Sequence, residues 1–296
     1  MSDLRFSLLP YRGVIAVGGP DRVEFLQGLI SNDVTKATSS RAVWAALLTP
    51  QGRFLNDMFV IDGGPAHGSD TLLLETERAR APALAKKLAM YKLRSKVAVE
   101  DRSAHHEVAV AFGSDAARAL GLESAVTFVD PRLAVLGVRV IAPSGTAASL
   151  LQARGFSAAP LDSYDALRLT LGVPDGSRDL PVEKALLLES GFDELNGVDW
   201  QKGCYMGQEL TARTKYRGLV RKRLLPVTVE GALPPPGTII HKDGEEVGEV
   251  RSGAGQHALA MLRLEAVRGG ELTADGAKLV ATVPSWMRLP EPSDAG

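Results

Sequence analysis

The sequence predicts an α+β protein that closes with a small β-rich unit, either a barrel or a sandwich. Three observations carry this expectation. Helix and strand signals are intermixed through roughly the first 215 residues. After Arg223 the composition changes, with Pro234-Pro235-Pro236 and frequent glycine. Beyond that point the apolar runs are short and regularly spaced.

Asp21 with Glu24 has the form of a capping box, and Val23, Leu26, Leu29 and Ile30 form a helical stripe behind it. Residues 43–48 and 54–61 read as strands joined by the turn-forming Thr49-Pro50-Gln51-Gly52. Residues 71–74 read as another strand. An amphipathic helix follows, with Leu84, Leu88 and Tyr91 on one face and Lys86 and Lys87 off it. Lys92, Arg94 and Lys96 alternate with Leu93 and Ser95, which predicts the wet face of a strand. Residues 108–112 and 133–141 are further strand candidates. Ser163 is placed to cap a helix bearing Tyr164, Leu167 and Leu171, stopped by Gly172 and Pro174. Residues 224–229, 246–250, 258–264 and 278–283 are the expected strands of the terminal unit. The expected boundaries are 1–218, 219–290 and a tail at 291–296.

At 296 residues, with 45% hydrophobic and 23% charged content, the chain has ordinary globular values and enough length for more than one packed unit. A net charge of −1 argues against a protein that coats nucleic acid, so direct nucleic-acid binding is not expected. The single cysteine excludes an intramolecular disulfide and fits a reducing compartment. The first residues show no basic start followed by a long apolar stretch, and no apolar run is long enough to span a bilayer. These readings predict a cytoplasmic protein without a membrane partner.

The chemistry concentrates in residues 202–218, KGCYMGQELTARTKYRG, which contain Cys204. A lone cysteine is often a small apolar filler, but the neighbours here are glycine, lysine and tyrosine rather than aliphatic residues. Lys202 and Arg213 are candidates to favour the thiolate, the form that attacks and that binds metals. A single thiol does not hold an iron–sulfur cluster alone, so a cluster at Cys204 needs ligands from another chain or a small thiol.

Other features are weaker. Asn56 and Asp57 interrupt an apolar strand, and Asp57 either lies at a solvated strand end, caps a loop or serves a site. The basic run from Arg213 to Arg223 is either a solvated face or an anion-binding one. Residues 253–258 match a dinucleotide fingerprint as a string, but lie among short strands and read as a turn. The five histidines show no metal-ligand spacing.

Lys202-Gly203-Cys204-Tyr205-Met206-Gly207-Gln208-Glu209 resembles the signature of the YgfZ family of folate-binding proteins. The likeness extends through residues 171–176 (LGVPDG), Asp179-Leu180-Pro181, 211–214 and 221–223. It continues more weakly through 25–28, Asn32-Asp33-Val34, 52–54 and Tyr91-Lys92-Leu93-Arg94. This longer pattern resembles the mitochondrial iron–sulfur assembly branch and its bacterial relatives more closely than the enterobacterial branch.

The resemblance implies the fold of the aminomethyltransferase (T-protein) of the glycine cleavage system, with tetrahydrofolate in a central channel and a small barrel as the last unit. It implies a role in assembly or maintenance of [4Fe–4S] proteins, including radical enzymes that modify tRNA, with A-type iron–sulfur carriers as partners. Cys204 is then a shared cluster ligand or redox handle, and Gly203, Tyr205, Gly207, Gln208 and Glu209 complete the signature. Asp57, beside Asn56, falls where the T-protein places an acid near the folate nitrogen. Arg213 joins them as a cofactor-site candidate. Thr170 stands where the T-protein has an acid, which removes one bidentate acceptor for the pterin. The expected function is an accessory factor rather than a conventional enzyme. The alternatives are a folate-dependent one-carbon transferase and a tRNA-modification recruitment module.

Overall fold

The structure, a computed structural model, describes residues 3–64, 67–68, 70–267 and 269–289. Its chain divides into two compact units. Unit 1 comprises Met1–Thr49, Leu55–Tyr164 and Asn196–Met206, and unit 2 comprises Pro50–Phe54, Asp165–Leu195 and Gly207–Gly296. The division differs from the expected linear boundary at residue 218, because 165–195 and 207–218 group with the terminal β-rich segment. The expected tail at 291–296 lies outside the described residues.

Unit 1 runs through β1 (Arg5–Leu8), β2 (Arg12–Gly18), α1 (Arg22–Gln27), β3 (Val43–Leu48), β4 (Phe54–Asp62), β5 (Thr71–Glu77), α2 (Ala81–Tyr91), β6 (Ala98–Asp101), β7 (His106–Phe112), β8 (Val126–Val129), β9 (Val138–Pro143), α3 (Ala147–Ala153) and β10 (Ser157–Ala158). They form two five-stranded sheets, ordered β3-β4-β5-β2-β6 and β10-β1-β7-β9-β8. Strand β3 is buried throughout and β4 is buried up to Ile61, so both faces of the first sheet are covered there. Against the second sheet, Ala147 and Leu151 of α3 pack with Phe6, Ala109 and Val140.

Several local expectations change. Asp21 precedes α1 without capping it, because its carboxylate accepts from the Lys96 N–H instead. The helix stops at Gln27, and Ile30 leaves the stripe to form a bridge with Leu47. The residues from Lys92 to Lys96 are not a strand. Ser95 N–H donates to Lys92 O and Val97 N–H to Ser95 O, and Leu93 adopts φ 44°. That left-handed conformation costs an unbranched non-glycine residue about 1 kcal/mol. Residues 134–136 form a short 3-10 turn, and β9 starts only after Gly137. Gly137 has φ 96°, and a Cβ there would lie 2.1 Å from Ala111 O. Helix α4 (Leu161–Thr170) begins before Ser163, which is therefore inside its first turn rather than capping it.

Unit 2 contains the latter part of α4, then α5 (Gln208–Tyr216) and the strands β11 (Lys222–Glu230), β12 (Ile239–Lys242), β13 (Glu245–Ala254), β14 (His257–Arg263), β15 (Leu272–Ala274) and β16 (Ala277–Ala281). These strands close a barrel in the order β11-β14-β13-β12-β15-β16, with β11 paired to both β14 and β16. Closure removes free sheet edges, and the interior is filled by Leu225, Val227, Ile240, Val250, Leu262 and Leu279, among others. The fingerprint-like string at 253–258 spans the β13–β14 hairpin, with Gly255 at φ 59° in its turn.

Candidate functional site

Cys204 sits on a short loop of unit 1 that is tied down on both sides. Upstream, Asp199 Oδ1 accepts from the backbone N–H groups of Gln201 and Lys202 at 2.8 and 3.0 Å. Burial pushes the Asp199 carboxyl up, but hydrogen bonds from Lys36, Gln201 and Lys202 hold it below the usual range on balance. The Lys202 ammonium reaches inward and donates to Ile30 O at 2.6 Å and Asn32 O at 2.7 Å, lying 5.3 Å over the Tyr205 ring. Downstream, Tyr205 is buried and Met206 N–H donates to Gly28 O at 3.1 Å. Between these anchors, Gly203 and Cys204 are exposed. Among the described residues a Cβ at Gly203 would meet nothing within 4 Å, so none of their contacts requires this glycine.

The receiving segment, 27–36, is itself cross-tied. Asn32 Nδ2 donates to Trp44 O and Asn196 O, both at 2.7 Å. Gln27 Nε2 donates to Asp33 Oδ1, and its side-chain Oε1 accepts from Val34 N–H. The structure thus brings the weaker motif around Gln27-Gly28 and Asn32-Asp33 against the cysteine signature. Residue-by-residue reading did not single out Asn32, Asp33 or Asp199. For Asn32 and Asp33 the signal was their place in a family-like motif far from the cysteine signature, and Asp199, which lies outside both motifs, carried none.

Lys202 therefore gives its ammonium to backbone carbonyls. Burial pulls it down to about 8, against the opposing charges of Asp33 and Asp199. Lysine in the unfolded chain titrates near 10.5. Between those values the unfolded state binds more protons, so stability rises with pH across that window. We expect the native chain to gain on Lys202→Met as pH rises from about 8 to about 10, measured by paired thermal melts. A pH-independent difference would contradict this assignment.

Asp57 is only 2% exposed, which corrects the expectation of a solvated strand end or a loop cap. Its Oδ2 accepts from Trp44 Nε1 at 3.1 Å, and Arg12 Nη1 lies 3.8 Å from Oδ1. Arg12 leads into a buried chain of charge. Glu75 Oε1 accepts from Arg12 Nε at 2.9 Å and Arg139 Nη1 at 2.5 Å, and Asp130 accepts from Arg139 Nε and, bidentately, from Arg132. The three guanidinium groups surround the Phe59 ring at 4.2 to 5.7 Å. Asn56 is also buried. A ligand reaching the Asp57 carboxylate has to displace the Trp44 indole or recruit Arg12.

The remaining candidates lie in unit 2. Gly207, at φ 80°, precedes α5, and Gln208 and Glu209 open that helix. Arg213 pairs with Glu209 across one turn on its exposed surface. The basic run does not act as one face, because Arg223 is buried and donates to Leu188 O and Glu194. Thr170 is exposed, and its hydroxyl donates to Ala166 O at 2.8 Å. Among the described residues, no group of three His, Cys, Asp or Glu side chains could hold a metal ion, and no helix is long and apolar enough to cross a membrane.

Comparison with known proteins follows the same lines. The family model described as the CAF17 C-terminal beta-barrel domain matches residues 221–289. The mitochondrial iron–sulfur cluster assembly factor IBA57 of Mus musculus is 38% identical over 93% of this chain and 83% of its own length. The Homo sapiens protein of that name is 37% identical with the same coverage. The homolog from Mycosarcoma maydis is 38% identical over 81% of this chain, which spans 61% of that longer protein. Among solved structures, the glycine cleavage system aminomethyltransferase T from Bartonella henselae superimposes with a TM-score of 0.75 over 96% of this chain and 86% of its own. At 16% identity, that likeness establishes the fold alone.

The cytoplasmic expectation is corrected by these relatives, which are named as mitochondrial proteins. That expectation rested on the want of a secretory pattern in the first residues, the want of a bilayer-length apolar run and a lone cysteine, and none of these distinguishes one reducing compartment from another. With the aminomethyltransferase fold, the closed terminal barrel and relatives well above 30% identity across most of its length, this chain belongs to the IBA57 family of iron–sulfur cluster assembly factors.

Proposed function

We propose that this chain is an accessory factor for iron–sulfur protein assembly that lends the Cys204 thiolate to a cluster held jointly with a partner. The observation that carries this reading is an exposed lone thiol on a loop anchored from both sides, with open space at Gly203. One cysteine supplies one thiolate, whereas clusters take several, so the remaining ligands come from a second protein. An A-type iron–sulfur carrier is the partner this chemistry fits, and [4Fe–4S] enzymes are the clients. Lys202 and Tyr205 hold the loop so that the thiol needs little reordering on engagement. Support for tetrahydrofolate as a second ligand comes from the shared fold and from Asp57. The buried position of that carboxylate makes opening of the Trp44 contact a condition for direct contact.

Anaerobic reconstitution with an A-type carrier tests the reading. Native protein should give a shared-cluster absorption and circular dichroism spectrum that Cys204→Ala abolishes, with stability unchanged within about 0.5 kcal/mol because the site is exposed. An identical spectrum from the alanine variant would remove the thiol from the mechanism. Titration of the same samples with tetrahydrofolate tests the second ligand, and equal affinity in Asp57→Asn would remove Asp57 as its contact.

A further inference from the structure

The turn after α2 carries a surface that the cluster chemistry does not use. Residues 78–99 hold seven cations, Arg78, Arg80, Lys86, Lys87, Lys92, Arg94 and Lys96, and no acid, in a chain whose formal charge is −1. Arg78 and Arg80 turn inward, donating to the carbonyls of Arg12, Ser103, His106 and Leu55. Lys92 Nζ donates to Val97 O, within its own turn. Lys86, Lys87, Arg94 and Lys96 remain around the end of the helix, and none is held by an acid among the described residues.

Two apolar side chains stand among them. Met90 is 68% exposed and Leu93 is 87% exposed, the highest value for a large apolar residue among those described. Leu93 is also held at φ 44°, a conformation that asparagine or glycine adopts more readily. The turn is seated firmly enough to impose this. Lys96 N–H donates to Asp21 Oδ2, and Lys96 O rides over Gly19, where a Cβ would lie only 2.2 Å away. Neither packing nor backbone preference within the chain accounts for leucine at this position. Strain combined with exposed apolar surface is a feature of binding sites.

We propose that this turn docks onto an acidic protein surface, with Leu93 and Met90 entering an apolar notch and Lys86, Arg94 and Lys96 meeting the carboxylates around it. Charge complementarity selects an acidic partner. The two exposed apolar tips favour protein over nucleic acid, because cations alone suffice for a phosphate backbone and Met90 and Leu93 would find no apolar notch there. A membrane is disfavoured because α2 turns Leu84 and Leu88 into the protein, leaving too narrow an apolar face to insert. The inference does not depend on Cys204.

Leu93→Asn separates docking from folding, since asparagine tolerates the left-handed conformation. The probe is a synthetic acidic helical peptide with a leucine stripe, titrated against full-length native protein and the variant at low and half-molar salt. We expect the native chain to bind the peptide and Leu93→Asn to bind it about tenfold or more weakly, with an unchanged or raised melting temperature. The triple reversal Lys86→Glu, Arg94→Glu, Lys96→Glu and half-molar salt should each weaken binding. No peptide binding by the native chain, or equal binding by Leu93→Asn, overturns the proposal. So does a preference for phosphatidylglycerol vesicles or tRNA with the same Leu93 dependence. Self-association of the native chain lost in Leu93→Asn would make the occupant a second copy, which also overturns it.

Discussion

Arg139→Met is expected to cost unit 1 about 3–5 kcal/mol, the range for breaking a buried ion pair from one side. Arg139 joins the two sheets of that unit, donating from β9 to Glu75 on β5 and to Asp130. Glu75 is fully buried, and its Oε2 already has no hydrogen-bond partner among the described residues. Removing Arg139 leaves Glu75 with Arg12 alone and Asp130 with Arg132 alone, so two carboxylates lose part of their compensation without gaining water. Burial would push Asp130 up, and it is Arg132 and Arg139 that hold it down. Urea denaturation followed by circular dichroism measures the effect. The double variant Arg139→Met, Glu75→Gln should recover part of the loss, since a neutral amide relieves one buried charge. A loss under about 1 kcal/mol for the single variant would mean that the carboxylates are neutral or hydrated, against the geometry described.

Arg168→Met should destabilise unit 2 to a similar extent, about 3–5 kcal/mol. Its guanidinium spends four contacts within that unit, to Asp165 Oδ1 and Asp179 Oδ2 at 2.8 Å each, Val173 O at 3.2 Å and Ser252 Oγ at 2.9 Å. Ser252 belongs to barrel strand β13 and also donates to Asp179. The arginine thereby ties the end of α4 to the barrel. Burial opposes the charge of Arg168, but Asp179 and Asp175 more than offset it. Lysine is a poor substitute, because a point charge does not reproduce a planar fork with several fixed donors. Arg168→Lys is therefore expected to recover less than half of the loss, together with faster hydrogen exchange along β13. Full recovery by lysine would show that charge alone matters at this position.

A β-rich terminal unit was legible in the sequence because small barrels and sandwiches alike impose short strands and frequent turns, and the family resemblance, not the spacing, pointed to a barrel. Strands β3 and β4 were legible for a related reason, since the unbroken apolar run of β3 and the run of β4, apolar on both faces apart from Asn56 and Asp57, match a sheet covered on both sides. The segment 92–96 has the pattern of a strand without being one, because cations alternating with Leu93 and Ser95 satisfy a period of two whatever the backbone does. Its actual form is set by Asp21, which is remote in sequence and captures the Lys96 N–H. The same capture explains the failed capping box, since one carboxylate was credited with a local contact that it makes at long range.

What the sequence determined by itself was the family, the terminal barrel and the single residue able to present a thiolate, because motif, turn chemistry and residue identity are local properties. Only the tertiary structure decided how those parts are used. It turned Lys202 inward onto Ile30 and Asn32, left Cys204 exposed between two anchors, and buried Asp57 against Trp44 and Arg12. These outcomes depend on which distant groups compete for each hydrogen bond and each place out of water, and sequence order does not encode that competition locally.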